Sequence, residues 1–275
     1  MYSGSSLKPL RSFDAWFGAH QKIDRIAARH LKYLLGAQAT IFPTVKSMMQ
    51  FEGFDGPDGI KIKTPAQGEP WHYYNPYDKE DTQIIELLKK NFAELVTALK
   101  KDDKIRAGFE AAWLAHGLVD GLTPAHHYPY EEELVRLRGG AGKETRTSKR
   151  DKVLMPGETI REKVSNNWGM WGEKGLLSTH VAFEIGVAVL IVPMRLTNRL
   201  PNAAELQLAR TKDGYIKLFQ KAAVEIAELK LYERFYQSGW TPKVARLVRS
   251  ELVPKIVDVV TLAWYAAVHE ASKKR

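Results

Sequence analysis

An all-α fold, a single compact multi-helix domain spanning residues 1–275, is what the sequence predicts, on three observations. Apolar residues recur at helical spacing along nearly the whole chain, and period-two alternation bounded by hairpin turns is scarce. At 44% apolar and 27% charged, 275 residues are also enough to bury a core without a disulfide or structural-metal staple. Residues 1–15 read as a flexible N-terminal extension. Ile23, Ile26, Ala27, Leu31 and Leu34 form the first stripe. Ile84, Ile85, Leu88, Phe92, Leu95, Val96 and Leu99 form a second, after Asp78 as its N-cap. A third runs through Ile105, Phe109 and Trp113. Later helices are predicted over 158–165, 177–192, 203–237 with a break at Gly214, and 242–272. Thr241 and Pro242 open the last of these, and Pro254 should kink it. Two stretches, 51–77 and 139–157, read as long loops.

Composition narrows the chemistry. There is no cysteine, which excludes disulfide scaffolds, thiolate zinc fingers, iron–sulfur clusters and thiol nucleophiles, so any transition-metal site must use His, Asp and Glu. The first residues, with Lys8, Arg11 and Asp14, gather no apolar signal core, and a cytoplasmic location is expected on that ground. The most apolar window, 181–194, contains Glu184 and is shorter than the roughly 20 residues a bilayer span needs, so a buried helix is expected there and no transmembrane segment. A formal charge of +9 favours anionic partners, phospholipid surfaces or nucleic acid. Lys143, Arg146, Lys149, Arg150 and Lys152 make 139–157 a basic loop, read first as solvated and second as an arm for an anionic partner. Gly142-Lys143 does not make a phosphate loop, because Glu144 stands where Ser or Thr is required and no strand precedes it.

The third stripe continues through 116 and 120, so His116 and Asp120 fall where apolar residues are expected. Residues four apart stack on one helix face, which lets an imidazole and a carboxylate reach one cation at about 2.0–2.2 Å. His180 and Glu184 repeat that geometry. Four His/acid pairs have this spacing, His20/Asp24, His116/Asp120, His127/Glu131 and His180/Glu184, where chance gives about 0.9. The longer string His116-x3-Asp120-x5-His126 has a chance expectation of about 0.01. His30, His127 and His269 are assigned no role. Trp16, Trp71 and Trp113 are read as core before pocket.

These residues resemble the bacterial zinc-dependent phospholipases C and, more distantly, the fungal zinc nucleases that cut single-stranded nucleic acid. The resemblance is carried by His116, Asp120 and His126; by His180, Phe183 and Glu184; by the aromatic-flanked His72 in Trp71-His72-Tyr73-Tyr74-Asn75-Pro76; and by His20 at the head of an early helix. It covers residues 16 to 190. The fold it implies is a helical domain of the zinc phospholipase C and zinc nuclease type, holding two or three zinc ions. Asp58, His72, His116 and Asp120 would hold one ion, with Asp55 as the runner-up to Asp58. His126, His180 and Glu184 would hold a second, and Asp120 would bridge to a third that also takes His20. In the family an N-terminal tryptophan completes the third site through its amino group and carbonyl. Here that site is expected from Trp16 freed by cleavage, or from other groups such as Asp24, or is missing. The connection between His126 and His180 is longer than the family's. A secreted location is the family-based alternative.

The chemistry such a cluster serves is hydrolysis of a phosphodiester: adjacent zinc ions neutralise the substrate charge and lower the pKa of a bound water. Asp58 would orient that water or accept its proton. The expected activity is therefore a zinc-dependent phosphodiesterase of phospholipase C type, with phospholipid preferred to nucleic acid and peripheral membrane contact possible in principle. A zinc-dependent single-strand nuclease and a non-catalytic metal-binding helical protein are the alternatives.

Overall fold

The computed structural model describes residues 1–2, 17–197 and 199–273. All regular structure in them is helical, with no strand among the described residues. Among the described residues fourteen α-helices follow one another: α1 (Ala19–Leu35), α2 (Val45–Met48), α3 (Pro57–Lys63), α4 (Gln83–Lys100), α5 (Lys104–Gly121), α6 (Tyr130–Leu137), α7 (Lys149–Val153), α8 (Ile160–Trp171), α9 (Leu176–Ile191), α10 (Ala203–Ala209), α11 (Gly214–Glu228), α12 (Leu231–Ser238), α13 (Pro242–Leu247) and α14 (Val253–Ser272).

The last helix is the centre of the core. α14 is buried from Val253 to Val268 except for Lys255, and packs against α1, α4, α5 and α11. Its Trp264, fully buried, donates its indole N–H to the Ala111 carbonyl of α5 at 3.1 Å, so the largest core side chain leaves no unpaired donor. Pro254 does not kink a continuous helix: the chain winds through a wider π turn at Val248–Leu252 just before it, which accommodates the missing N–H. A smaller core lies apart, built from Tyr130, Leu134 and Leu137 of α6, Met155, and Met170 of α8.

Several expectations shift. Helix α4 starts at Gln83, and Asp78 instead accepts from the Glu80 N–H in the preceding turn at 2.9 Å. Ile105 is exposed, outside the third stripe's buried face. The predicted helix over 203–237 is three helices, divided where Asp213 and Lys230 adopt left-handed backbone conformations. Gly214 opens α11 at a close approach, since a Cβ there would lie 1.8 Å from the Leu208 carbonyl oxygen. The helix expected over 158–165 runs on to Trp171, started by a capping box between Thr159 and Glu162. Both long loops carry short helices, α3 in one and α7 in the other. Of the expected N-terminal extension, Met1 is buried. Tyr2 is half-buried, and residues 3–15, together with Trp16, lie outside the described residues.

By length and composition alone, two stretches are apolar enough to cross a membrane, Ile160–Ile191 and Pro242–Ser272. The second contains the central core helix.

Candidate metal centre

Helix α5 supplies the pivot. Its small residues let neighbouring helices approach: a Cβ on Gly121 would meet the Phe219 ring at 2.7 Å and Ile84 at 2.8 Å. That close packing drives its polar residues, His116 and Asp120, fully into the interior. Just beyond its C-terminus, the turn Pro124–His126 swings His126 back under Asp120. The segment around His72 is tied alongside by the Tyr74 N–H donating to the His126 carbonyl at 3.1 Å. Helix α1 brings His20 in its first turn, and α9 presents His180 and Glu184 one turn apart.

The side chains converge on Asp120. Its Oδ1 lies 3.2 Å from His20 Nε2 and 3.5 Å from His126 Nδ1, and its Oδ2 lies 3.2 Å from His116 Nε2. Glu184 Oε1 lies 3.0 Å from both His126 Nε2 and His180 Nε2. Two groups therefore have ligand atoms within 4.8 Å of one another: His20, His116 and Asp120, and His126, His180 and Glu184. The second is the set the resemblance implies. The first is arranged differently, with His20 beside His116, their rings stacked 4.1 Å apart. Asp58, on α3, stands 3.8 Å from His116 Nε2. His72 lines the same cleft and packs edge-on against His126, with ring centres 5.2 Å apart, while its Nδ1 bonds the Pro70 carbonyl. Asp55 is turned away, 3.9 Å from Lys63 and exposed at its tip. Asp24 is buried one turn beyond His20, but burial, and then the Glu52 carboxylate, push it well above the usual carboxylate range; a protonated acid makes a poor ligand.

Three participants have no counterpart in the sequence reading. The Met1 ammonium lies 2.6 Å from Asp120 Oδ1 and 3.2 Å from Glu184 Oε1, between the two groups, and the Met1 carbonyl oxygen is 2.8 Å from His20 Nε2. Glu52 Oε2 stands 3.3 Å from His116 Nδ1, behind the ring. Lys61 Nζ lies 3.4 Å from Asp58, at the cleft. Only Lys61 left a trace in the sequence, three residues after Asp58 on one helix face; the other two meet the site through tertiary packing alone.

The donor set fits a metal. Burial holds His20 and His72 neutral, with His116 adding to the effect on His20 and Lys61 on His72, and it draws His126 down to about 4. A neutral imidazole offers the lone pair a cation requires. Burial would raise Asp120 and Glu184, yet the Met1 ammonium and the surrounding histidines outweigh it and keep both well below the usual carboxylate range. For His116, Asp120 and Glu52 outweigh burial and push the imidazole up. Buried nitrogens of His20, His126 and His180, and Asp120 Oδ2, have no hydrogen-bond partner. Buried polar atoms in such number, on nitrogen and oxygen donors without thiolate, match imidazole–carboxylate coordination of a metal ion.

A cleft reaches this cluster, lined by Lys61, Trp71, His72, Trp113, His116 and Asp120. The basic loop is folded against its rim and is not a free arm. Lys143 sits 4.0 Å over the Trp71 ring, Lys152 pairs with Glu69 at 2.6 Å and bonds the Lys61 and Thr64 carbonyls, and the buried Arg146 pairs with Glu131. Lys149 and Arg150 alone of the five remain exposed. No family profile, curated protein or solved structure matches the chain.

Proposed function

We propose that the chain is a zinc-dependent phosphodiester hydrolase resembling phospholipase C. The observation that carries the reading is the convergence of His20, His116, His126, His180 and Glu184 around the buried carboxylate of Asp120, with one buried ring nitrogen each of His20, His126 and His180 lacking a hydrogen-bond partner. His20, His116 and Asp120 would hold one ion and His126, His180 and Glu184 another, with Asp120 Oδ1 within reach of both groups. Asp58 and His72 complete the cleft side. The carbonyl oxygen of Met1 and its amino group, once deprotonated, would be further ligands beside His20 and Asp120. Bound zinc supplies Lewis acidity and an activated water.

The protein's own groups do the rest. Lys61 and His116 outweigh burial and hold Asp58 ionised, so its carboxylate can accept a hydrogen bond from, and orient, a water at the cleft. Lys61, whose charge is stabilised by Asp58 and Asp120 against the cost of burial, faces an anionic diester at the same opening. Glu52 fixes the His116 ring from behind, as carboxylate–histidine pairs do in metal sites.

The test is metal content and hydrolysis measured together. Purified protein should carry at least two zinc ions, release diacylglycerol from phosphatidylcholine, lose activity on chelation and regain it with zinc. Cleavage of single-stranded DNA in preference to lipid would reassign the substrate to nucleic acid. Full zinc loading without hydrolysis of either would make the centre structural. Activity that survives exhaustive chelation would end the reading.

A further inference from the structure

Helix α8 is apolar on the side away from the protein. Ile160, Val164, Trp168 and Trp171, spaced by four, four and three, fall within one narrow arc of the helix. They are 82%, 65%, 70% and 48% exposed. The Trp171 indole N–H donates to the Val153 carbonyl at 2.7 Å, which joins exposed Val153 and Leu154 of the basic loop to the stripe. On α9 the residues following His180 and Glu184, Val181 and Ile185, are likewise exposed, as is Val189. The contrast with the other apolar stretch is sharp: in the most apolar 18 residues of Pro242–Ser272, 89% are buried, and in those of Ile160–Ile191 only 39%. An exposed apolar surface on this scale marks a contact.

Its rim is cationic. Arg161 and Lys163 on α8, Lys174 in the turn before α9, and Lys149 and Arg150 on α7 are exposed and make no ion pair among the described residues. Of the four acids between 149 and 174, Asp151 and Glu162 are taken up in capping boxes. Tryptophans beside aliphatic side chains, bordered by lysine and arginine, suit the headgroup boundary of an anionic bilayer. Twelve residues in α8 and sixteen in α9, separated by a turn, are each shorter than the roughly 20 needed to cross one, so the helices would lie along the interface.

We propose that the outer face of α8, with Val153 and Leu154, docks on the surface of an anionic phospholipid membrane. The reading of the chain as a lipid phosphodiesterase is what gives this docking its purpose, and the proposal rests on it in that respect. The inner side of the same unit reaches the metal centre: Met170 of α8 packs in the small core with Tyr130, Tyr130 stacks on Tyr73, and the Tyr73 ring centre is 5.5 Å from that of His126. α7 is strapped by Lys152 to the cleft rim. A short run of packed rings therefore joins the docking face to the metal centre.

Sedimentation of the full chain with vesicles tests this, using phosphatidylcholine alone and phosphatidylcholine mixed with phosphatidylglycerol. The chain should bind the mixed vesicles, more weakly as salt rises. The Ile160→Ser, Val164→Ser, Trp168→Ser triple variant, altered only at exposed positions, should bind at least about tenfold more weakly. Arg161→Glu with Lys163→Glu should lose the preference for the anionic vesicles. Both variants should hydrolyse the water-soluble diester bis(p-nitrophenyl) phosphate at the unaltered rate. A chain that stays in the supernatant with both vesicles, or a triple variant that binds undiminished, overturns the proposal. So does a dimer in solution that the triple variant converts to monomer, which would assign the face to a second copy. Vesicle binding by a chain that hydrolyses no diester would leave the surface standing and remove the phosphodiesterase reading.

Discussion

Asp120 is the residue on which the centre depends, because one carboxylate touches both ligand groups. Asp120→Asn should reduce zinc at both positions, since an amide cannot bridge two cations, whereas Glu184→Gln should mainly empty the His126/His180 position. Asp58→Asn should cut turnover while retaining most of the metal. Zinc per chain by mass spectrometry of the metal should rank Asp120→Asn lowest; full retention in that variant would refute the bridging role. Glu52→Gln keeps the shape behind His116 and removes the charge, and should weaken metal binding or activity roughly 10- to 100-fold. A competition titration with a chromophoric chelator reads this directly. The ligands most legible in the sequence were the pairs four apart on a helix, His116/Asp120 and His180/Glu184, because helical geometry alone puts them on one face. Met1 and Glu52 were illegible for the opposite reason: each reaches the site only through the packing of distant segments, which leaves no local spacing to read.

Among the elements, α5 couples packing to chemistry. Gly121 follows Asp120 directly and touches the Phe219 ring and Ile84, so Gly121→Ala should cost about 1–3 kcal/mol through overpacking and displace Asp120 as well. Urea unfolding and zinc content should fall together in this variant; a loss of stability with metal retained would show that α5 shifts without moving its carboxylate. Periodicity located the long helices, α1, α4, α5, α9 and α14, because each buries one stripe. It found the break at Gly214, where α11 begins, and missed the one at Lys230, where a residue other than glycine takes a left-handed backbone conformation that tertiary contacts must stabilise. The same limit applied to 51–77 and 139–157. Their short helices are held by contacts such as Lys152 to Glu69 and Arg138 to the Asp151 carbonyl at 2.6 Å, not by a repeating apolar pattern.

For the molecule as a whole, burying neutral histidines sets a dependence on acid. His20, His72, His126 and His127 all have imidazole pKa values lowered by burial in the folded chain, His126 and His127 to about 4. Unfolded, they take up protons from about pH 6.5 downward, so the unfolded state binds more protons over that window and stability falls as pH drops. His116, raised by Asp120 and Glu52 against burial, opposes the trend, as do the carboxyls of Asp24, Glu110 and Asp258, which burial raises. After chelation, the melting temperature should therefore drop by roughly 5–10 °C between pH 7 and 5, read by calorimetry. A flat profile would contradict the burial of these rings. The centre also joins segments far apart in the chain, from His20 on α1 to Glu184 on α9, in a protein that has no cysteine with which to make a covalent tie. A cation held there acts as a removable cross-link, closing long loops at one point and restricting the unfolded chain much as a disulfide would. The small core of α6 and α8, separate from that of α14, has the most to lose when the tie is undone. Amide hydrogen exchange in α6 to α8 should quicken first on chelation, while α14 keeps its protection.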